Sequence, residues 1–385
     1  MRPRILHIVL MFLLLSLTGL GVSSCATSSG GSQQFSQEVQ DNLNSAVDAK
    51  MAEFGVPGAI VGVWVPGKGE WLSCKGKADI KTGAAPTIDD HVRIASVTKT
   101  FTATVILQLV DEERLKLADT LDKFDLGVTV PNSDKITIRN LLNMTSGLFN
   151  VTADDDNFWG KFLADPTAPW TPKQLVDIAI AHGAVSPPGQ DYEYNNTNYV
   201  LLGVIIEKLT GSTAGKEITS RIIDKLGLKN TSFPTAAEMP APFMHGYMPD
   251  ANIPDNNGGP AVIDMSVETP TPFYTAGGMV SDLMDLKTWV QALANGKLLS
   301  AEMHKEQLTF APPNTPSYGL GVMNGGIVIG HSGEIPGYNS SAYTQPGGNG
   351  ATIIVLVNRY PSKVEGASDQ ILTEIAKVIK DLIQK

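Results

Sequence analysis

The stretch Ala59-Ile60-Val61-Gly62-Val63-Trp64-Val65 carries no polar side chain. A strand with one face in water alternates apolar and polar residues, so an unbroken apolar run belongs to a sheet covered on both faces. Pro66-Gly67-Lys68-Gly69 is a turn cluster and Glu70 to Gly76 returns, which makes a β-hairpin. Upstream, Val39, Leu43, Val47, Met51 and Phe54 fall on one helical face that stops at Gly55. The far end of the chain mirrors this arrangement. Tyr318 to Met323, Gly326 to Gly330, Ser340 to Gln345 and Ala351 to Val357 read as successive strands between Gly/Asn/Pro turns. A last helix then places Ile371, Leu372, Ile375, Val378, Ile379, Leu382 and Ile383 on one face. Between the two ends helical patterns dominate, as in Pro172 to Ala181 and Tyr199 to Leu209, broken by loops such as Pro249 to Pro260. The expected fold is α/β (α+β): an antiparallel sheet built from both chain ends, flanked by helices, with a mostly helical lobe inserted. The α/β lobe takes residues 36–115 and 268–385, the helical lobe 116–267, and a cleft at their seam is the natural place for a ligand.

The chain has 385 residues, 42% hydrophobic and 18% charged, with 37 Gly and 24 Pro, a globular and turn-rich composition. Its formal charge is −10. Without the two arginines of the first 24 residues, 27 basic residues face 39 acidic ones, a net of −12. Nothing resembles a basic patch, which argues against a nucleic-acid partner.

Residues 1–24 form a leader: Arg2, Arg4 and His7, then the apolar run Ile8 to Leu15, loosening at Gly19 and Gly21. That run is too short for a comfortable membrane span and reads as an export signal. Val22-Ser23-Ser24-Cys25 resembles the bacterial lipoprotein signal, in which a cysteine is lipidated and becomes the new N-terminus. Residues 25–35 would then be the lipidated Cys25 and a flexible tether, placing the body in the cell envelope, outside the cytoplasm. With Cys25 acylated, Cys74 has no partner in the chain, and the fold is expected to hold without a disulfide.

Ser96-Val97-Thr98-Lys99 opens a strongly apolar helical run, Phe101 to Val110, after a strand-like His91 to Ala95. At helical i and i+3 a serine hydroxyl and a lysine amine share a face. Burial by such a helix disfavours the ammonium, lowering the lysine pKa until the amine can take a proton from Ser96. The pattern S-x-x-K occurs here alone in the chain, yet by itself a serine cap beside a solvated lysine accounts for it. Tyr194-Asn195-Asn196 lies in a polar loop before a helix, where a phenol can carry a proton and a carboxamide can hold an amide substrate. His331-Ser332-Gly333 lies at the end of, or within, a strand whose glycine permits close approach of an extended substrate. Asp154-Asp155-Asp156 lacks the spacing of a calcium loop and reads as a solvated turn, and His182, His245 and His304 read as structural.

Taken in order, S-x-x-K at Ser96 and Lys99, Y-x-N at Tyr194 and Asn196, and His331-Ser332-Gly333 resemble the three motifs of the penicillin-recognising serine hydrolases: D-alanyl-D-alanine carboxypeptidases, class C β-lactamases and related esterases. Ile136 to Leu148, Thr197 to Gly211, Thr275 to Asp282 and Tyr318 to Val322 also look like that family, so the resemblance runs from about Val39 to the last helix.

The resemblance implies a β-lactamase/transpeptidase-like fold and acyl transfer without metal or organic cofactor. In family terms, Ser96 attacks a carbonyl while Lys99 and Tyr194 move its proton and the leaving group's. Backbone N–H groups of Ser96 and Glu334 hold the oxyanion, and Asn196 holds a substrate amide. His331 and Ser332 face a substrate carboxylate. His331 stands where β-lactamases usually have lysine, so its charge is expected to vary with pH. Met323-Asn324 stands where some of the carboxypeptidases have an arginine. The leading expectation is a D-alanyl-D-alanine carboxypeptidase acting on cell-wall peptides. The alternatives are an esterase or weak class C-like β-lactamase, with ester or β-lactam substrates, and a non-catalytic penicillin-binding envelope lipoprotein.

Overall fold

A computed structural model describes residues 33–254, 260–310, 318–347, 350–359 and 366–383. The leader and Cys25 lie outside them.

The apolar run of the N-terminal end forms β1 (Gly58–Val65) and its return forms β2 (Gly69–Gly76). Two short strands, β3 (Val92–Arg93) and β6 (Val280–Ser281), pair with each other, and β4 (Tyr247–Pro254) pairs with β5 (Pro260–Asp264). The chain's far end supplies β7 (Met323–Asn324), β8 (Ile329–Ile335), β9 (Tyr338–Thr344) and β10 (Thr352–Val357). The main sheet is antiparallel, ordered β2-β1-β10-β9-β8-β7, so β1 and β10 join the two chain ends at its centre. Both ends of the chain therefore close one sheet.

The two-sided burial anticipated for β1 follows from its pleat. Ala59, Val61, Val63 and Val65 face the first helix, Gln37–Phe54, and the last, Ala367–Ile383, packing with Leu43, Val47, Ile371, Ile375 and Ile379. Ile60 and Trp64 face the opposite way, into the larger core shared with helix Thr98–Asp111. Ser36 caps the first helix and Gly55, at φ 60°, ends it. Most of the remaining helices, including Pro172–Ala181 and Asn196–Thr210, lie between β3 and β6.

Several expectations need correction. Residues 249–260 are not simply a loop: the described part belongs to the β4–β5 hairpin. Tyr318 to Met323 is not a strand; a single bridge, Tyr318 to Met323, precedes the two-residue β7. Glycines at 319 and 321 explain this, since Gly321 adopts φ 79° and a Cβ there would lie 2.3 Å from Ala103 Cβ. Strand β8 starts later than expected and runs through the third motif to Ile335. Cys74, on β2, is buried and disulfide-bonded, against the expectation of a fold without a disulfide. Among the described residues, no helix is long and apolar enough to cross a membrane.

Candidate active site

Ser96 does not sit on the helix itself, as its spacing from Lys99 suggested. It occupies a 3-10 turn, Ala95–Val97, that feeds helix Thr98–Asp111. Ala95 adopts φ 48°, a left-handed conformation that costs a non-glycine residue about 1 kcal/mol or more. The turn is held there by its neighbours: Ile94 N–H donates to Met279 O at 3.0 Å, and Ser340 Oγ donates to Ile94 O at 2.9 Å. This strained turn presents the hydroxyl of Ser96 to the cleft while Lys99, in the first helical turn, is fully buried behind it.

Lys99 Nζ lies 2.9 Å from Ser96 Oγ, 2.7 Å from Asn196 Oδ1 and 2.7 Å from Ala276 O. Burial holds its pKa well below the usual lysine value. A neutral amine has two N–H donors and one lone pair. Asn196 Oδ1 and Ala276 O can only accept, so they take the two hydrogens, and the lone pair is left for the Ser96 hydroxyl. The geometry is that of a base set against a nucleophile.

Tyr194 stands over the same lysine, its ring centroid 4.9 Å from Nζ. Burial pushes its phenol well above the ordinary tyrosine value, an effect that the adjacent Ser96 hydroxyl partly opposes. The loop bearing it is fixed from below by the Ile136–Leu148 stretch and by Asn150 and Thr152 just beyond it. Glu193 N–H donates to Met144 O, Asn195 Nδ2 to Leu148 O, and Asn196 N–H to Asn150 Oδ1. Asn196 Nδ2 donates to Thr152 Oγ1 at 2.8 Å, which fixes its amide so that the oxygen faces Lys99. The Thr275–Asp282 stretch supplies Ala276 O, and Thr275 O accepts from Thr102 Oγ1 on the nucleophile's helix.

The third motif approaches from β8. A Cβ on Gly333 would lie 2.4 Å from Ile94 O, 2.7 Å from Ser340 Oγ and 2.9 Å from Ala95 Cβ, so only glycine lets the strand lie against the nucleophile turn. Strand β7 pairs only with Ile329 and Gly330. From His331 onward β8 is thus an edge with no further strand beside it among the described residues, and its Ser332, Gly333, Glu334 and Ile335 border the cleft. His331 does not face that cleft. It is wholly buried, its Nδ1 meeting Ser332 O and its Nε2 lying 3.0 Å from Tyr318 Oη. Burial, reinforced by the nearby Lys99, lowers its pKa to about 3, so the imidazole is neutral at physiological pH rather than a pH-dependent cation. With Nδ1–H donated to the Ser332 carbonyl, Nε2 accepts from Tyr318. The Tyr318 stretch thus earns its place by bracing His331.

The cleft encloses about 460 Å³. Trp159 and Phe273 form an apolar wall, backed by the rings of Phe158 and Phe162. At the β8 end lies Asp369, in the first turn of the last helix, which sequence reasoning missed because an acid after a serine at a helix start reads as a cap. The acidic run elsewhere also has a structural role: Asp154 is buried, caps a helical turn and accepts from His182 Nε2 at 2.7 Å, rather than lying in a solvated turn.

The family model Beta-lactamase matches residues 43–376, and the chain belongs to that family. It is a serine hydrolase of the β-lactamase and penicillin-binding-protein superfamily. A D-stereospecific amidohydrolase from Streptomyces sp. is 36% identical, with a TM-score of 0.75 over 87% of this chain and 97% of that one. The D-amino acid amidase of Ochrobactrum anthropi SV3, solved with D-phenylalanine, is 28% identical, with a TM-score of 0.76 over 90% and 99% of the two chains. Among curated proteins, Protein flp of Staphylococcus aureus is 27% identical over 89% of this chain and 68% of its own length.

Proposed function

We propose that the protein hydrolyses amides of D-configured acyl groups through an acyl-enzyme on Ser96. The observation that carries this reading is the buried Lys99 amine, its pKa held well below the usual lysine value by burial, 2.9 Å from the Ser96 hydroxyl. Lys99 takes the serine proton as Oγ attacks the carbonyl carbon. The negative oxygen is stabilised by the backbone N–H groups of Ser96 and Glu334. Tyr194 returns a proton to the departing nitrogen, and water then attacks the ester and regenerates Ser96. Asn196 orients both Lys99 and the substrate amide. His331 acts through Tyr318 and its packing against Tyr194, not by meeting a carboxylate. The D-configuration is supported by the likeness to the Streptomyces amidohydrolase and the Ochrobactrum amidase.

A second reading, D-alanyl-D-alanine carboxypeptidase action, is favoured by the ordered motifs and by the likeness to the putative penicillin-binding protein PbpX of Bacillus subtilis, 26% identical over 68% of this chain. Turnover of D-phenylalaninamide, acyl-D-Ala-D-Ala, short p-nitrophenyl esters and nitrocefin separates these activities from the esterase and β-lactamase alternatives. Amide turnover that vanishes in Ser96→Ala is expected. An occupied cleft with no acyl-Ser96 would instead support the non-catalytic binding role.

The leader supports export, and Val22-Ser23-Ser24-Cys25 supports acylation of Cys25 and a membrane tether in the envelope. Acylation consumes the sulfur that a bond to Cys74 would need, so the mass of the mature protein decides between a lipidated N-terminus and a disulfide.

A further inference from the structure

The side chain of Asn196 meets two polar neighbours, Thr152 Oγ1 and Lys99 Nζ, and either end of its amide could serve either one. Which end goes where is settled outside the three motifs. The backbone N–H groups of Asn196 and Thr152 converge on one side-chain atom of Asn150, at 3.0 and 3.4 Å. A backbone N–H can only donate, so that atom is the carboxamide oxygen, Oδ1. Thr152 Oγ1 lies 3.1 Å from the same oxygen. The hydroxyl has one hydrogen, and an oxygen that can only accept takes it. Thr152 therefore turns its lone pairs toward Asn196, 2.8 Å away, and the amide meets them with its nitrogen. The amide oxygen is then the end that lies 2.7 Å from Lys99 Nζ.

The direction of these bonds matters at the lysine. An uncharged amine can give a hydrogen to an amide oxygen or accept one from an amide nitrogen. Giving hydrogens to Asn196 Oδ1 and Ala276 O leaves its lone pair for the Ser96 hydroxyl, whereas accepting from a reversed Asn196 amide would occupy that lone pair. Thr152 is itself anchored. Its carbonyl accepts from Trp159 Nε1 at 2.9 Å, and Asp154 caps the turn that bears Trp159 while accepting from His182 Nε2 at 2.7 Å.

We propose that Thr152 is a positioning residue for the base: its hydroxyl, oriented by Asn150, fixes the direction of the hydrogen bonds running through Asn196 to Lys99 and so keeps the lysine lone pair on Ser96. The proposal rests on the acyl-Ser96 reading above and adds to it the residue that directs the base.

The test compares Thr152→Val, which keeps the shape of the side chain and loses the hydroxyl, with Thr152→Ser, which keeps the hydroxyl and loses a methyl. The substrate is p-nitrophenyl acetate, an ester with no amide for Asn196 to hold, so its kcat/KM reports acylation rather than amide binding. Thr152→Val should lose roughly 5- to 10-fold in kcat/KM, the effect of one lost hydrogen bond, and Thr152→Ser should keep most of the wild-type value. A packing role predicts the opposite order, since valine fills the site and serine leaves a gap. The rising limb of kcat/KM against pH is the second readout. With an amide N–H in place of Oδ1 beside it, the ammonium of Lys99 is less favoured, so the inflection in Thr152→Val should move to lower pH. Among the described residues, Tyr194 and Tyr199, whose rings lie 4.9 and 5.6 Å from Nζ, and His331 are the titratable groups around Lys99, and neither substitution replaces them. If Thr152→Val does not fold, Thr152→Ala takes its place, because alanine and serine differ only by the hydroxyl. A hydroxyl-free variant at the wild-type rate, one faster than Thr152→Ser, or one slowed with its inflection unmoved overturns the assignment and leaves the acyl-enzyme standing. Wild type that the ester never acylates at Ser96 overturns both.

Discussion

Replacing Gly333 by alanine tests whether strand β8 must touch the nucleophile turn. The added Cβ would lie 2.4 Å from Ile94 O, where ordinary contact begins near 3.4 Å, so strand and turn must part by about 1 Å. Neither side yields easily. Ile94 O already accepts from Ser340 Oγ, and Ala95 sits in a left-handed conformation that its surroundings impose. Overpacking of this kind costs about 1–3 kcal/mol of stability. A displacement of about 1 Å between a nucleophile and its oxyanion donors costs on the order of 100-fold in rate. Gly333→Ala should therefore fold, with a urea midpoint lowered to match, and lose about two decades of kcat/KM on a p-nitrophenyl ester. The fall should appear mainly in kcat, because the ground-state cleft is intact while the oxyanion contact is not. A variant that keeps wild-type kcat and wild-type stability would refute the reasoning, since β8 could then lie away from Ala95 and Ser96 without consequence.

The charges at the site lead to further expected outcomes. Because His331 is held neutral down to about pH 3, its stabilising contribution is complete above its ordinary value of 6.5 and is lost as pH falls through that window, by about 4 kcal/mol at the lower end. Urea unfolding between pH 7 and pH 4 should show wild type losing stability more steeply than His331→Gln; parallel curves would contradict a buried neutral imidazole. Lys99→Met should lower kcat/KM about 1,000-fold, within the usual range for a lost general base. In wild type, kcat/KM should rise with pH to a plateau whose inflection lies well below the ordinary lysine value of 10.5, and an inflection near 10.5 would mean a solvated ammonium. Intact mass of exported protein should show the leader removed, and an unmodified leader still attached would contradict export.

Much of this architecture was legible because period and polarity leave few choices. The apolar run of β1 demanded cover on both faces, and its pleat delivers Val61 to one core and Ile60 to the other. The three motifs were legible as residue types, since a serine three residues before a lysine means little except beside a tyrosine loop and a glycine-bearing strand. Their states were not. That His331 is neutral depends on Tyr318 and Lys99 closing around it, contacts between residues far apart in the chain. Asp369 was invisible for the same reason, because its place in the cleft follows from where the last helix crosses β8 and β9, and no local pattern records that crossing. The 3-10 turn at Ser96 escaped because helical spacing places Ser96 and Lys99 together in either geometry.

The central claim is that Ser96 is the nucleophile. Intact-protein mass spectrometry after brief exposure to a β-lactam or an activated D-acyl ester measures it most directly. One acyl group per chain is expected, located on the peptide containing Ser96 and absent from Ser96→Ala. An adduct of the same mass on Ser96→Ala, or wild type unlabelled by every acyl donor while the cleft binds them, would contradict the account.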